Sequence, residues 1–106
     1  TGHIDHIVAG RSACLAFYRL REQGLPMSRI RLACMSRDEV PSLNTNFVFM
    51  EPGHTADEIH ETVDGSEFTD KIHEIMRIHH TQRADYETVV AQKGDNIGVN
   101  YFIVKD

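Results

Sequence analysis

Seven histidines in a chain of 106 residues give this protein its largest stock of chemically versatile side chains, since imidazole both ligates metals and exchanges protons near neutral pH. Spacing decides which chemistry they could do. His60 precedes Glu61 and His73 precedes Glu74, but neither has a second histidine four residues on, as the H-E-x-x-H zinc motif needs to put both rings on one helical face. His73 and His80 would share a face of a continuous helix, yet two turns, about 10 Å, separate them, too far for one ion. They read as exposed helix histidines. The set that could converge is His6, Glu51 and His54. A strand-borne His6 beside the end of a neighbouring strand would meet Glu51, with His54 in the turn that follows. Two imidazoles and a carboxylate with open positions suit Zn²⁺, Fe²⁺ or Mn²⁺ acting as a Lewis acid. Solvation of strand ends accounts for the same residues without any metal, so no cofactor is firmly implied.

Other chemistries have less support. Ser12 and Cys14 sit at a helix start with no identifiable histidine to orient them, and Ser12 reads as a cap. Neither a G-x-G-x-x-G nor a P-loop pattern occurs, which leaves nucleotide phosphates without a cradle. Arg19, Arg21, Arg29, Arg31 and Arg37 could form a basic patch beside Tyr101 and Phe102. The aromatic pattern of an RNA-binding sheet is missing and the chain is acidic overall, at −5, so nucleic acid is disfavoured.

The elements that must hold these residues read as follows. Ile4 to Ala9 ends at Gly10 and is expected to be a first strand. A helix follows, capped by Ser12, with Ala13, Ala16, Phe17 and Leu20 on one stripe and Gly24 as its left-handed stop. Ile30, Leu32 and Cys34 alternate with Arg29, Arg31 and Ala33 as a half-buried strand would. Phe47-Val48-Phe49-Met50 reads as a central strand, apolar on both faces. Thr55 and Glu58 form a T-x-x-E capping box that is expected to open a short helix ending near Asp64-Gly65. A second helical pattern starts at Ser66, carries Phe68, Ile72, Ile75, Met76 and His79, and continues to Tyr86, Val89 and Val90, with a break at His80-Thr81 left open. Lys93-Gly94-Asp95-Asn96 closes it, and Val99 to Val104 is a last strand. The order predicts one α+β domain over 1–106, a ferredoxin-like βαββαβ sandwich whose helices cover one face of a mainly antiparallel sheet.

Two partial resemblances rest on these pieces. Ile4-Asp5-His6-Ile7 followed by Leu15-Ala16-Phe17-Tyr18-Arg19 resembles the opening of a vicinal-oxygen-chelate module, which implies metal binding at the positions of His6 and Glu51 and oxygenase, isomerase or lyase chemistry. Ile7 to Ala9, the helix to Gly24, and Leu25-Pro26-Met27-Ser28-Arg29-Ile30-Arg31-Leu32, together with Ala84-Asp85-Tyr86-Glu87 through Gly94 to Val99 and Val104, resemble the general-stress (heat-induced stress) protein family. That second resemblance covers about half the chain and implies no catalytic set.

Composition bounds the rest. Hydrophobic residues are 41% and charged residues 25%, an ordinary globular balance. No run reaches the about 18–20 apolar residues a bilayer span needs, and nothing reads as a signal peptide. Cys14 and Cys34 lack a metal or redox spacing and read as free, buried thiols, which suits the cytoplasm. Thr1 in place of methionine points to a chain that was trimmed, carries a remnant at Thr1-Gly2-His3, or was cut from something longer. Charge is segregated: six arginines up to Arg37 face only Asp5 and Glu22, whereas eight acidic residues between Glu51 and Glu74 face only Lys71. Such blocks attract one another within a chain or between copies. The sequence thus points to a non-enzymatic ligand-binding or regulatory domain acting as a homo-oligomer, a dimer, in a stress-related setting, with no membrane partner. The alternative is a small metal-dependent enzyme built on His6, Glu51 and His54.

Overall fold

The computed structural model describes residues 3–40 and 52–106. It opens with a helix, α1 (Ile4–Glu22), where a strand was expected over Ile4 to Ala9. The His3 carbonyl already accepts the Ile7 amide at 3.2 Å. Asp5 and His6 interrupt any two-residue alternation, whereas Ile4, Ile7, Val8, Cys14, Leu15 and Tyr18 keep a three-and-four spacing across Gly10, so the helical period prevails. Ser12 therefore lies inside α1 and is not its cap. The expected end is observed. Gly24, at φ 82°, donates to Arg21 at 2.9 Å, and Leu25 donates to Leu20 at 3.1 Å, the paired bonds of a Schellman stop.

Three antiparallel strands follow: β1 (Ile30–Cys34), β2 (Glu61–Asp64) and β3 (Val99–Lys105), in the order β1-β3-β2. In β1, Ile30, Leu32 and Cys34 are half-buried while Arg31 and Ala33 face water, the alternation its sequence predicts. The expected strand at Phe47-Val48-Phe49-Met50 lies outside the described residues. β2 corrects a second expectation, since Glu61 to Asp64 was read as the end of a helix. Half of the expected Thr55–Glu58 capping box forms, with the Thr55 amide donating to Glu58 Oε2 at 2.8 Å, but the Glu58 and Ile59 amides close only one turn onto the Thr55 carbonyl. The chain then leaves that turn, because the His60 amide donates to Phe102 at 3.1 Å and Thr62-Val63 fit a pleated surface better than a helix.

The long helical pattern divides at its ambiguous point. α2 (Thr69–Ile78) and α3 (Arg83–Lys93) are separate helices, so His73 and His80 never share a helical face. His73 Nδ1 instead lies 3.0 Å from the Tyr86 hydroxyl, tying α2 to α3. Gly94, at φ 51°, ends α3 as expected. The described elements thus run α-β-β-α-α-β, an α+β fold rather than the expected βαββαβ order.

Register assigns the faces. Leu32 pairs with Ile103, and Cys34 and Thr62 both pair with Tyr101, so these share one face. Lys93 of α3 reaches over the Tyr101 ring at 5.8 Å, which places α3 on that face. On the other face, Arg31 of β1 and Glu61 of β2 join across β3 in a two-bonded ion pair. The sheet's entry and exit meet at Gly65 and Gly98, joined by a 2.9 Å amide-carbonyl bond; a Cβ on Gly98 would stand 2.7 Å from the Gly65 carbonyl oxygen. Fully buried apolar side chains are few. Among the described residues only Phe17 and Ile97 qualify.

Candidate functional site

The described surface holds a cleft of about 400 Å³ between the end of β1, the turn at His54 and β3, lined by Ser36, Arg37, His54, Thr55, Thr62 and Tyr101 among others. A short parallel bridge builds it. The His54 amide donates to Met35 at 2.9 Å, and the Arg37 amide donates to His54 at 2.8 Å. Gly53 permits the approach: its φ is 76°, and a Cβ there would stand 2.9 Å from Arg37 Cα, so the position excludes other residues on both conformation and space. Pro52-Gly53 was legible only as a strand stop.

Electrostatics keep the carboxyls beside the cleft ionised and its phenol protonated. Arg37 Nη2 lies 3.9 Å and His54 Nδ1 3.7 Å from Glu58 Oε2. The Thr55 amide holds the Glu58 carboxyl below its usual range, with Arg37 and His54 adding to the effect. The Thr55 hydroxyl does the same for Asp57. A carboxyl serving as general acid near neutral pH needs the opposite shift. Burial, then the Glu39 carboxylate, raises the Tyr101 phenol above its ordinary value, so it stays protonated and able to donate. What the cleft offers is hydroxyls, one guanidinium, one imidazole and the Asp38 carboxylate, suited to a small polar molecule.

Behind Tyr101 lies a polar contact that the sequence reading missed. The Glu39 side chain is only 8% exposed and meets Lys93 Nζ at 3.4 Å; Lys93 also donates to the Val99 carbonyl at 2.7 Å, and Gln92 donates to the Glu39 carbonyl at 3.0 Å. These residues are more than 50 positions apart in sequence, and no local pattern marks them.

The described residues place two of the three expected metal ligands. His6 lies on α1, not on a strand, with its ring 5.2 Å from that of His3. His54 sits in the bridge beside Ser36, and Glu51 lies outside the described residues. Among the described residues no three histidine, cysteine, aspartate or glutamate side chains gather closely enough to hold an ion. Cys14 and Cys34 are free and half-buried, and burial raises the Cys34 thiol pKa, which makes it less reactive. Three arginines of the expected patch are neutralised by ion pairs. Arg29 and Arg31 pair with Glu61, Arg29 with Asp106, and Arg37 with Glu58, while Tyr101 and Phe102, adjacent on β3, point to opposite faces.

One more surface has functional size. α1 presents Ile4, Val8, Leu15 and Tyr18 to solvent, between 41% and 67% exposed. Leu25 beyond its end is exposed as well. No helix among the described residues is long and apolar enough to cross a membrane. No protein-family model matches the chain, and no curated protein or solved structure is significantly similar to it.

Proposed function

We propose that this chain is a non-enzymatic interaction domain that works as a homo-oligomer, with the Arg37–His54 cleft as a contact for a small polar ligand. The observation that carries the reading is the uncovered apolar stripe of α1. A helix that is apolar on two sides belongs between two packing partners, and the fold supplies one. A standard dimer covers about 800 Å² per partner, and the exposed Ile4, Val8, Leu15, Tyr18 and Leu25 offer the apolar part of such a face. Covering the exposed half of each of the five side chains on both copies is worth about 1 kcal/mol apiece, about 10 kcal/mol in all, against an association cost of about 4–15 kcal/mol. Two terms of similar size correspond to a reversible association, as regulation by ligand or concentration requires. Two free thiols fit a reducing, cytoplasmic setting, and the partial resemblance to the general-stress family extends the reading to a stress response.

Sedimentation velocity on the full chain from micromolar to near-millimolar concentration tests it. A concentration-dependent shift from monomer to a larger species is expected; a monomer throughout would overturn it.

A further inference from the structure

The outer stripe of α1 is Ile4, Val8, Arg11, Leu15, Tyr18 and Glu22, spaced four, three, four, three and four apart. That is the spacing of a seam between two long packed helices. Ile7, Gly10, Cys14 and Phe17 lie on a neighbouring stripe turned toward the fold, where all four are half-buried or buried. A second helix would fit this seam. Two of its six positions are charged. Arg11 and Glu22 are eleven residues apart, about 16 Å along the axis, and cannot reach each other on one helix. Neither makes an ion pair among the described residues, like Arg19 and Arg21 of the same helix and unlike Arg29, Arg31 and Arg37, which are paired within the chain.

We propose that two copies of this chain pair antiparallel through α1, with Leu15 opposite Tyr18 of the second copy and Arg11 opposite Glu22 of the second copy. The proposal rests on the homo-oligomer reading and adds its interface and register. Two-fold symmetry makes each contact occur twice and closes the assembly as a dimer. The charges select this arrangement among those the spacing allows. A parallel pair sets Arg11 against Arg11 and Glu22 against Glu22, which repel. An antiparallel pair shifted to put Val8 opposite Tyr18 leaves Arg11 against Leu15 and Glu22 against Ile4, desolvating both charges without a partner. In the proposed register the central apolar layers are flanked by two opposite-charge pairs, and Val8 meets the exposed Leu25 of the second copy beyond them.

The experiment uses the full chain and the variants Arg11→Glu and Glu22→Arg, measured by sedimentation equilibrium, with circular dichroism confirming an unchanged fold. Each variant alone places like charges opposite each other twice, so its dimer is expected to be about tenfold weaker or more. Mixing the two variants restores opposite charges at both ends, so a heterodimer of near wild-type strength is expected. Wild-type association should also weaken as salt rises. If the wild type dimerises but neither variant weakens it, or if the mixture shows no recovery, the register is wrong while the homo-oligomer reading stands. If the wild type is monomeric at every concentration, the homo-oligomer reading itself falls.

Discussion

Replacing Phe17 with alanine separates the two faces of α1. Phe17 is 2% exposed, stacks edge-on against Tyr18 at 5.1 Å, and carries the Arg21 guanidinium 5.9 Å from its ring centroid. Truncating a fully buried phenylalanine removes its transfer free energy and leaves a cavity, together about 3–5 kcal/mol. A domain of this size has about 5–15 kcal/mol in total. Phe17 is one of two buried apolar side chains among the described residues, so a loss within that range is expected. At about 4–8 °C per kcal/mol, the melting temperature should fall by at least about 12 °C. Leu15, two residues away and 53% exposed, is the control. At low protein concentration Leu15→Ala should cost less than about 1 kcal/mol, because it removes no buried contact within one chain. The assay is urea unfolding followed by far-ultraviolet circular dichroism on dilute protein. A Phe17→Ala loss below about 1 kcal/mol, or equal losses for the two variants, would refute the assignment of faces.

Three further outcomes are expected. Gly10 lies inside α1 with nothing within 4 Å of an added Cβ, so Gly10→Ala should stabilise by about 0.5–1 kcal/mol; a loss of stability in thermal melts would speak against a helix at this position. Gly98→Ala should destabilise by about 1–3 kcal/mol, because its Cβ would meet the Gly65 carbonyl carbon and oxygen at 2.8 and 2.7 Å, and an unchanged urea midpoint would sink that reading. Acid should also weaken the fold. Arg31 lowers the Glu61 carboxyl, the Thr55 amide that of Glu58, and Ser66 that of Asp64. Carboxylates with depressed folded values stabilise above their unfolded pKa, and that contribution is lost as pH falls through the folded one. The urea midpoint should therefore hold from neutral pH to about 5 and drop below the ordinary glutamate value of 4.5, with a smaller drop in Glu61→Gln; a midpoint that rises on acidification would contradict it.

What the sequence determined by itself was whatever is encoded within a few residues. The Gly24 and Gly94 stops, the Glu58 half of the Thr55–Glu58 box, the alternation of β1 and the β-branched last strand all rest on local backbone sterics or side-chain period, and each is present. The apolar character of α1 was legible too, though the strand reading of Ile4 to Ala9 hid its outward stripe. Only the tertiary structure decided which competing period prevailed. Glu61 to Asp64 became a strand because β3 was there to accept its hydrogen bonds, a partner about 40 residues away that no local window contains. The cleft depends on the backbone of Gly53 meeting that of Arg37, and the Glu39–Lys93 contact on the Arg37–Glu39 turn and α3 arriving together. The His6–Glu51–His54 set was reasoned from a strand under His6, which lies on a helix instead, and Glu51 falls outside the described residues. Residue types name the chemistry a chain can do; which groups meet is set by long-range packing, whose energy no short segment carries alone.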